Sequence, residues 1–127
     1  MPSLGRGCAE RPGDDGAAVM NRAHFIKMAY GDIGWLRALG SEFFAEIRGL
    51  LPGWLARFEA GDFSGLREEL HRSKGGASLF GVERLVAVMV AWEQPMVLET
   101  QGFDVAAFMH ELEVAEQAVA GMMEPER

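Results

Sequence analysis

Apolar residues recur through most of the chain in alternating steps of three and four, which places them on one face of an α-helix. From Val19 onward no segment shows the period of two that is typical of a β-strand. The pattern predicts a short first helix over about 19–30 and four longer ones. Their apolar faces are, in chain order, Ile33, Leu36, Gly40, Phe43, Ile47, Leu50, Trp54 and Phe58; Phe63, Leu66, Leu70, Ser73, Ala77 and Phe80; Val82, Leu85, Met89, Trp92 and Met96; and Val105, Phe108, Leu112, Ala115, Val119 and Met122.

Short joints separate these segments. Gly31 and Asp32 follow the first helix, and EAGD at 59–62 forms the next connector, with Asp62 or Ser64 able to cap the third helix. Gly81 lies where a left-handed residue would end the third helix, and ETQG at 99–102 forms the last connector. Pro52 is expected to bend or divide the second helix, because proline lacks the backbone donor. The segments predict an all-α fold, an antiparallel four-helix bundle with an additional short N-terminal helix as a lid.

The length of 127 residues suits one domain. Residues 1–18 are rich in glycine, proline and charge and are predicted to form a disordered tail. The helical bundle is predicted to span 19–124.

Composition excludes several classes of function. The formal net charge of −7 makes nucleic acid an unfavourable partner. A single cysteine, Cys8, permits no intramolecular disulfide, and no metal or cofactor site is expected. The longest apolar run, 85–92, is too short to span a membrane, and the N-terminus has no hydrophobic stretch for a signal peptide, so we expect a cytoplasmic protein. In 74–81 the lysine precedes the glycines, unlike a P-loop.

The third helix contains the residues with the most informative chemistry, HRSKGGASLFG at 71–81. On a helical projection His71 lies roughly 140° from the centre of the apolar side, so we expect it to be exposed. Arg67, Lys74, Gly75 and Ser78 fall on the same face. Glycine within a helix costs about 0.5–1 kcal/mol relative to alanine, so helix stability does not explain Gly75 or the adjacent Gly76. Room for another molecule explains Gly75, whereas close helix packing is the better explanation for Gly76.

An exposed neutral imidazole is a competent nucleophile near neutral pH, since its unperturbed pKa is about 6.5. A phosphoryl group on His71 would bring negative charge, which the ammonium of Lys74 one turn away could offset. Arg67 and Arg72 add to this basic region of an otherwise acidic chain. Glu68, one turn before the histidine, could orient the ring or pair with Arg72.

The motif H-x-x-K-G, followed by a further glycine ten residues after the histidine, resembles that of histidine phosphotransfer (HPt) domains; here it consists of His71, Lys74, Gly75 and Gly81. The preceding segment, 43–70, is also similar to that family, and the resemblance extends over about 25–122. It implies that His71 is the phosphoacceptor, that Lys74 supports the phosphoryl group and that Gly75 leaves clearance for a receiver domain.

The resemblance also implies partners and cofactors. The expected partners are the receiver domains of a hybrid histidine kinase and of a response regulator, and magnesium is expected on the receiver only. We assign partner contacts to Arg67, Arg72 and Ser78. Two residues depart from the family pattern: Ser73 stands where an aliphatic residue is usually buried, and Leu70 where a small residue often precedes the histidine. Both concern packing beneath the site and leave the exposed face unchanged.

Other interpretations remain open from the sequence. An isolated exposed histidine is usually a solvated side chain, and we interpret His24 and His110 in that structural or incidental sense. The alternative function is an interaction module that docks on a receiver or sensor kinase without being phosphorylated. A dimerising histidine kinase core is a third class, but it calls for an acidic residue directly after the histidine, where this chain has Arg72.

Overall fold

The computed structural model describes residues 18–123, and six α-helices make up all the regular secondary structure in that range. They are α1 (Arg22–Ala29), α2 (Ile33–Glu59), α3 (Phe63–Leu79), α4 (Glu83–Glu93), α5 (Val97–Gln101) and α6 (Val105–Ala120). The all-α prediction is confirmed. Apart from Ala18, the predicted tail lies outside the described residues, as does Glu124 at the end of the predicted bundle.

Four helices enclose the core. Helix α2 packs against α3 and α6, and α4 packs against the same two helices, so each has two neighbours, as in a four-helix bundle. Three-residue connections join α2 to α3 and α3 to α4, so these neighbours run antiparallel. Helix α3 buries Leu66, Leu70 and Ala77 in the core and leaves its opposite side to solvent; Phe80, directly after the helix, is also buried.

Side-chain caps fix where the helices begin. The aspartates Asp32, Asp62 and Asp104 each accept a hydrogen bond from the backbone N–H three residues later, at the start of α2, α3 and α6. Of the two caps proposed for α3, the structure therefore uses Asp62. The short helix α1 packs on α2, and the backbone N–H of Asn21 donates to the carbonyl of Gly81 at 2.7 Å. Gly81 has φ +69°, the left-handed terminator conformation predicted from the sequence.

Helix α2 continues through Pro52 without a break, so of the two expected effects, a bend or a division of the helix, division is wrong. Pro52 is exposed, and the buried face runs on from Ile47 and Leu51 to Trp54. Burial on both sides of the proline offsets its missing hydrogen bond. The buried face of α2 also differs from the predicted one by one position in two places: Phe44 and Leu51 are buried, whereas the predicted Phe43 and Leu50 are only partly buried.

The end of α4 differs from the prediction. Residues 99–101 of the predicted ETQG connector belong to the short helix α5, and the predicted core residue Met96 is 57% exposed. The reason is local, since Pro95 disfavours helical backbone at Gln94, which is extended. The chain turns there, and Leu98 of α5 enters the core instead. Among the described residues, no helix is long and apolar enough to cross a membrane.

Candidate functional site

His71 lies in the middle of α3 and projects away from the bundle. Leu70, directly before it, is fully buried, and the side chain of His71 itself is 72% exposed. The apolar face of α3 therefore anchors the helix while the histidine remains open to a second molecule. The predicted exposure of His71 is confirmed.

A carboxylate from the next helix holds the imidazole ring. Nδ1 of His71 lies 2.9 Å from Oε1 of Glu93, the last residue of α4, whose side chain is only 16% exposed. An ionised carboxylate can only accept hydrogen bonds, so the Nδ1–H donates. In the neutral ring this assigns the proton to Nδ1 and leaves the lone pair on Nε2. Nε2 is therefore the nitrogen whose lone pair is available in this arrangement.

Lys74 contacts the same carboxylate. Its Nζ lies 3.0 Å from Oε2 of Glu93 and donates a hydrogen bond to Oε1 at 3.3 Å. Burial of Glu93 raises the pKa of its carboxyl, but hydrogen bonds from His71 and Lys74 outweigh that effect and bring the pKa below its ordinary value of 4.5. Glu93 therefore stays ionised at neutral pH. We call His71, Lys74 and Glu93 the His71 cluster.

The two adjacent glycines of α3 have different surroundings. A Cβ built on Gly75 would meet nothing within 4 Å, so its exposed backbone leaves open space one turn from His71. A Cβ on Gly76 would come within 2.6 Å of the Phe43 ring. Gly76 therefore allows α2 and α3 to pack closely, as the sequence suggested, and a groove of about 420 Å³ lies between the two helices on that side.

The other three predicted site residues occupy different environments. Arg67 forms an ion pair with Glu99 of α5, and the two side chains are only 24% and 26% exposed. Arg72 is 67% exposed and lies 3.4 Å from Glu69. Ser78 is exposed, and its backbone carbonyl lies 3.1 Å from Nε2 of His24, so that histidine serves as a structural link between α1 and α3.

Sequence reasoning did not identify Glu93. It suggested Glu68 as a partner for His71 or Arg72, whereas the structure uses Glu93 for the histidine and Glu69 for the arginine. A signal for Glu93 was present in the sequence. Helices α3 and α4 form an antiparallel hairpin around Gly81, and His71 and Glu93 lie at similar distances on either side of it. The described residues contain no group of three or more His, Cys, Asp or Glu that could hold a metal ion.

Comparison with known protein families identifies a match for most of the chain. The family model of the Hpt domain matches residues 33–123, from the first residue of α2 to the end of the described region. The match includes α3 and Glu93 and leaves α1 outside. No curated protein and no solved structure shows significant similarity to the chain.

Proposed function

Because the chain belongs to the Hpt domain family, whose members serve phosphotransfer in two-component signalling, we propose that it is a phosphorelay intermediate with His71 as phosphoacceptor. The chain would take a phosphoryl group from a receiver-domain aspartate of a hybrid histidine kinase and pass it to the receiver domain of a response regulator. The observation that supports this most directly is the 72% exposed imidazole whose Nδ1 is bonded to Glu93. The ring is thereby oriented and its second nitrogen is available.

In the proposed reaction, the lone pair of Nε2 attacks the phosphorus of the aspartyl phosphate. The N–P bond forms as the bond from phosphorus to the aspartyl oxygen breaks, and the electron pair leaves with the receiver's carboxylate. The phosphorylated ring keeps its proton on Nδ1 and becomes cationic. Glu93, 2.9 Å from that nitrogen, offsets the new positive charge. The same steps in reverse deliver the group to the next receiver.

Lys74 and Gly75 have complementary roles in this proposal. The ammonium of Lys74 lies one helical turn from His71 and already shares a carboxylate with it, so it can turn towards the oxygens of a phosphoryl group on Nε2. The open space at Gly75 lets a receiver bring its phosphorylated aspartate up to the ring. This chain supplies the nucleophile and its electrostatic support, while the magnesium ion and most of the catalysis belong to the receiver.

The docking face extends beyond the His71 cluster. Arg72 and Ser78 are both exposed on α3, and we propose both as contacts with the receiver. The half-buried Arg67, which is engaged by Glu99, is a weaker candidate for such a contact than Arg72. A function between cytoplasmic receivers would place the chain in the cytoplasm.

The experiment that tests this function is incubation of the chain with a phosphorylated receiver. Transfer to His71 should give an acid-labile, base-stable label that is absent from the His71→Gln variant. The alternative, a docking module without phosphate, predicts binding to the receiver with no label on the chain. The open face at Gly75 would serve such docking as well, so binding and labelling have to be measured together.

A further inference from the structure

Glu93 lies at a helix end, where no following helical turn fixes its backbone. It is the last residue of α4; Gln94 is extended, and Met96 adopts the left-handed region at φ +69°. A residue other than glycine is strained in that region. No further helical turn holds the carboxylate that orients His71, so the following segment must be fixed by contacts to the rest of the bundle.

Two sets of contacts fix that segment. On the core side, Trp92 packs on Phe103 with ring centroids 4.7 Å apart, and Leu98 is buried. On the surface side, Glu99 of α5 pairs with Arg67 of α3. The second set connects α5 directly to the helix that contains His71.

The surface contacts follow one edge of α3. Arg67 lies one turn before His71 and Lys74 one turn after it, and all three meet carboxylates from the end of α4 or from α5. Both members of the Arg67–Glu99 pair are about three-quarters buried, so solvent screens this ion pair less than a pair at the open surface. The hydrogen bond from Arg67 lowers the pKa of the Glu99 carboxyl, which therefore stays ionised at neutral pH.

We propose that Arg67 and Glu99 are positioning residues for the His71 cluster: their ion pair holds α5 against α3 and thereby keeps Glu93 within hydrogen-bond distance of Nδ1 of His71. The significance of this for transfer rests on the proposed function, since a misplaced Glu93 matters only if Nε2 must be the nucleophile. The proposal gives Arg67 a role different from a contact with the receiver. A residue that is 24% exposed and paired within the chain suits the positioning role better than Arg72 does.

The test observes the ring of His71 directly, by ¹⁵N NMR of the full chain without a partner under mildly alkaline conditions. The wild-type protein should show the Nδ1–H tautomer. Arg67→Ala and Glu99→Gln should each shift the ring towards the other tautomer and slow phosphotransfer several-fold. The exchanged pair, Arg67→Glu with Glu99→Arg, should restore both. Arg72→Ala, which removes the ion pair with Glu69, is the matched control and should leave the tautomer unchanged.

The outcomes separate the alternatives. An unchanged tautomer in both single variants overturns the proposal, and if transfer also falls only with Arg67→Ala, Arg67 contacts the receiver instead. If Arg67→Ala unfolds the bundle, Glu99→Gln and the exchanged pair still decide the question. The tautomer is measured without a receiver, so failure of the wild-type chain to accept phosphate would overturn the proposed function and leave the tautomer result standing.

Discussion

Oε1 of Glu93 lies 2.9 Å from Nδ1 of His71, although 22 positions separate the two residues in the chain. This contact joins the end of α4 to the middle of α3 and determines which nitrogen of the imidazole retains its lone pair. Glu93 is not part of the H-x-x-K-G motif, so the motif alone does not reveal this contact. The chemistry that we propose for His71 depends on it.

Replacing Glu93 with glutamine should slow phosphotransfer while the bundle stays folded. Glutamine can still accept from Nδ1 through its carbonyl oxygen, but it has no charge to offset the cationic phosphorylated ring. A hydrogen bond to a charged group is worth about 1.5–3 kcal/mol, so we expect a loss of about tenfold or more in the transfer rate. Glu113→Gln on the exposed side of α6 is the matched control. Equal transfer rates in wild type and Glu93→Gln would remove Glu93 from the site.

The lowered pKa of Glu93 also predicts a dependence of stability on pH. A carboxyl whose pKa is lower in the folded state stabilises the fold above its unfolded value, here 4.5, and that contribution is lost as the pH falls through the folded value. Chemical denaturation should therefore show wild type more stable than Glu93→Gln at pH 7. The difference should shrink below pH 4.5 and vanish when Glu93 is protonated. A difference that is constant over this range would contradict the assignment.

Replacing Lys74 with alanine should leave the fold intact and weaken transfer or shorten the lifetime of the phosphohistidine. The ammonium that could contact the phosphoryl oxygens is lost, and a well-formed contact of this kind is worth about 1.5–3 kcal/mol, less where exposed. Rates of transfer and of label loss measure the effect, with Lys74→Arg as the variant that keeps the charge. Label stability and rates equal to those of wild type would exclude Lys74 from the site.

Gly75→Gln should separate docking from folding. The open space at Gly75 accepts a side chain, and glutamine has the higher helix propensity, so the melting temperature should stay the same or rise by about 2–4 °C. Transfer to and from receivers should collapse, because the new side chain occupies the approach to His71. Thermal melts and transfer assays on one protein measure both effects.

Two other glycines serve as controls for Gly75. Gly49 on α2 is also exposed with open space around it, and Gly49→Gln should keep both stability and transfer. Gly76→Gln should lower the melting temperature, because its side chain would meet Phe43 and overpacking typically costs about 1–3 kcal/mol. A destabilised or fully active Gly75→Gln would contradict the role we propose for Gly75.

The sequence predicted the parts of the fold that follow from helical periodicity or from the conformational preference of a single residue. The spacing of residues such as Leu66, Leu70 and Ala77 follows from helical geometry, and Gly81 was recognisable because few residues adopt a positive φ. The break after α4 was not foreseen, because it depends on Pro95 and on the left-handed Met96 together. At Pro52 the local preference of proline predicts an interruption of the helix, but burial of the residues on both sides keeps α2 continuous.

In the site, too, residues close in sequence were predictable and residues brought in by tertiary packing were not. His71, Lys74 and Gly75 fall within five consecutive positions of one helix, so their spacing in the sequence fixes their spacing in space. Glu93 and Glu99 reach the site only through the packing of α4 and α5 on α3. The helical pattern also does not predict how exposed each charged side chain is: Arg67 shares a face with His71, but its side chain is mostly buried and paired with Glu99.

Whether His71 receives the phosphoryl group can be measured in a single assay. A receiver domain labelled with radioactive phosphate on its aspartate is mixed with the wild-type chain or with His71→Gln, and each product is treated with acid and with base. We expect an acid-labile, base-stable label on wild type and none on His71→Gln, with both proteins folded and both bound to the receiver. Label on His71→Gln, or binding without label on wild type, would contradict it.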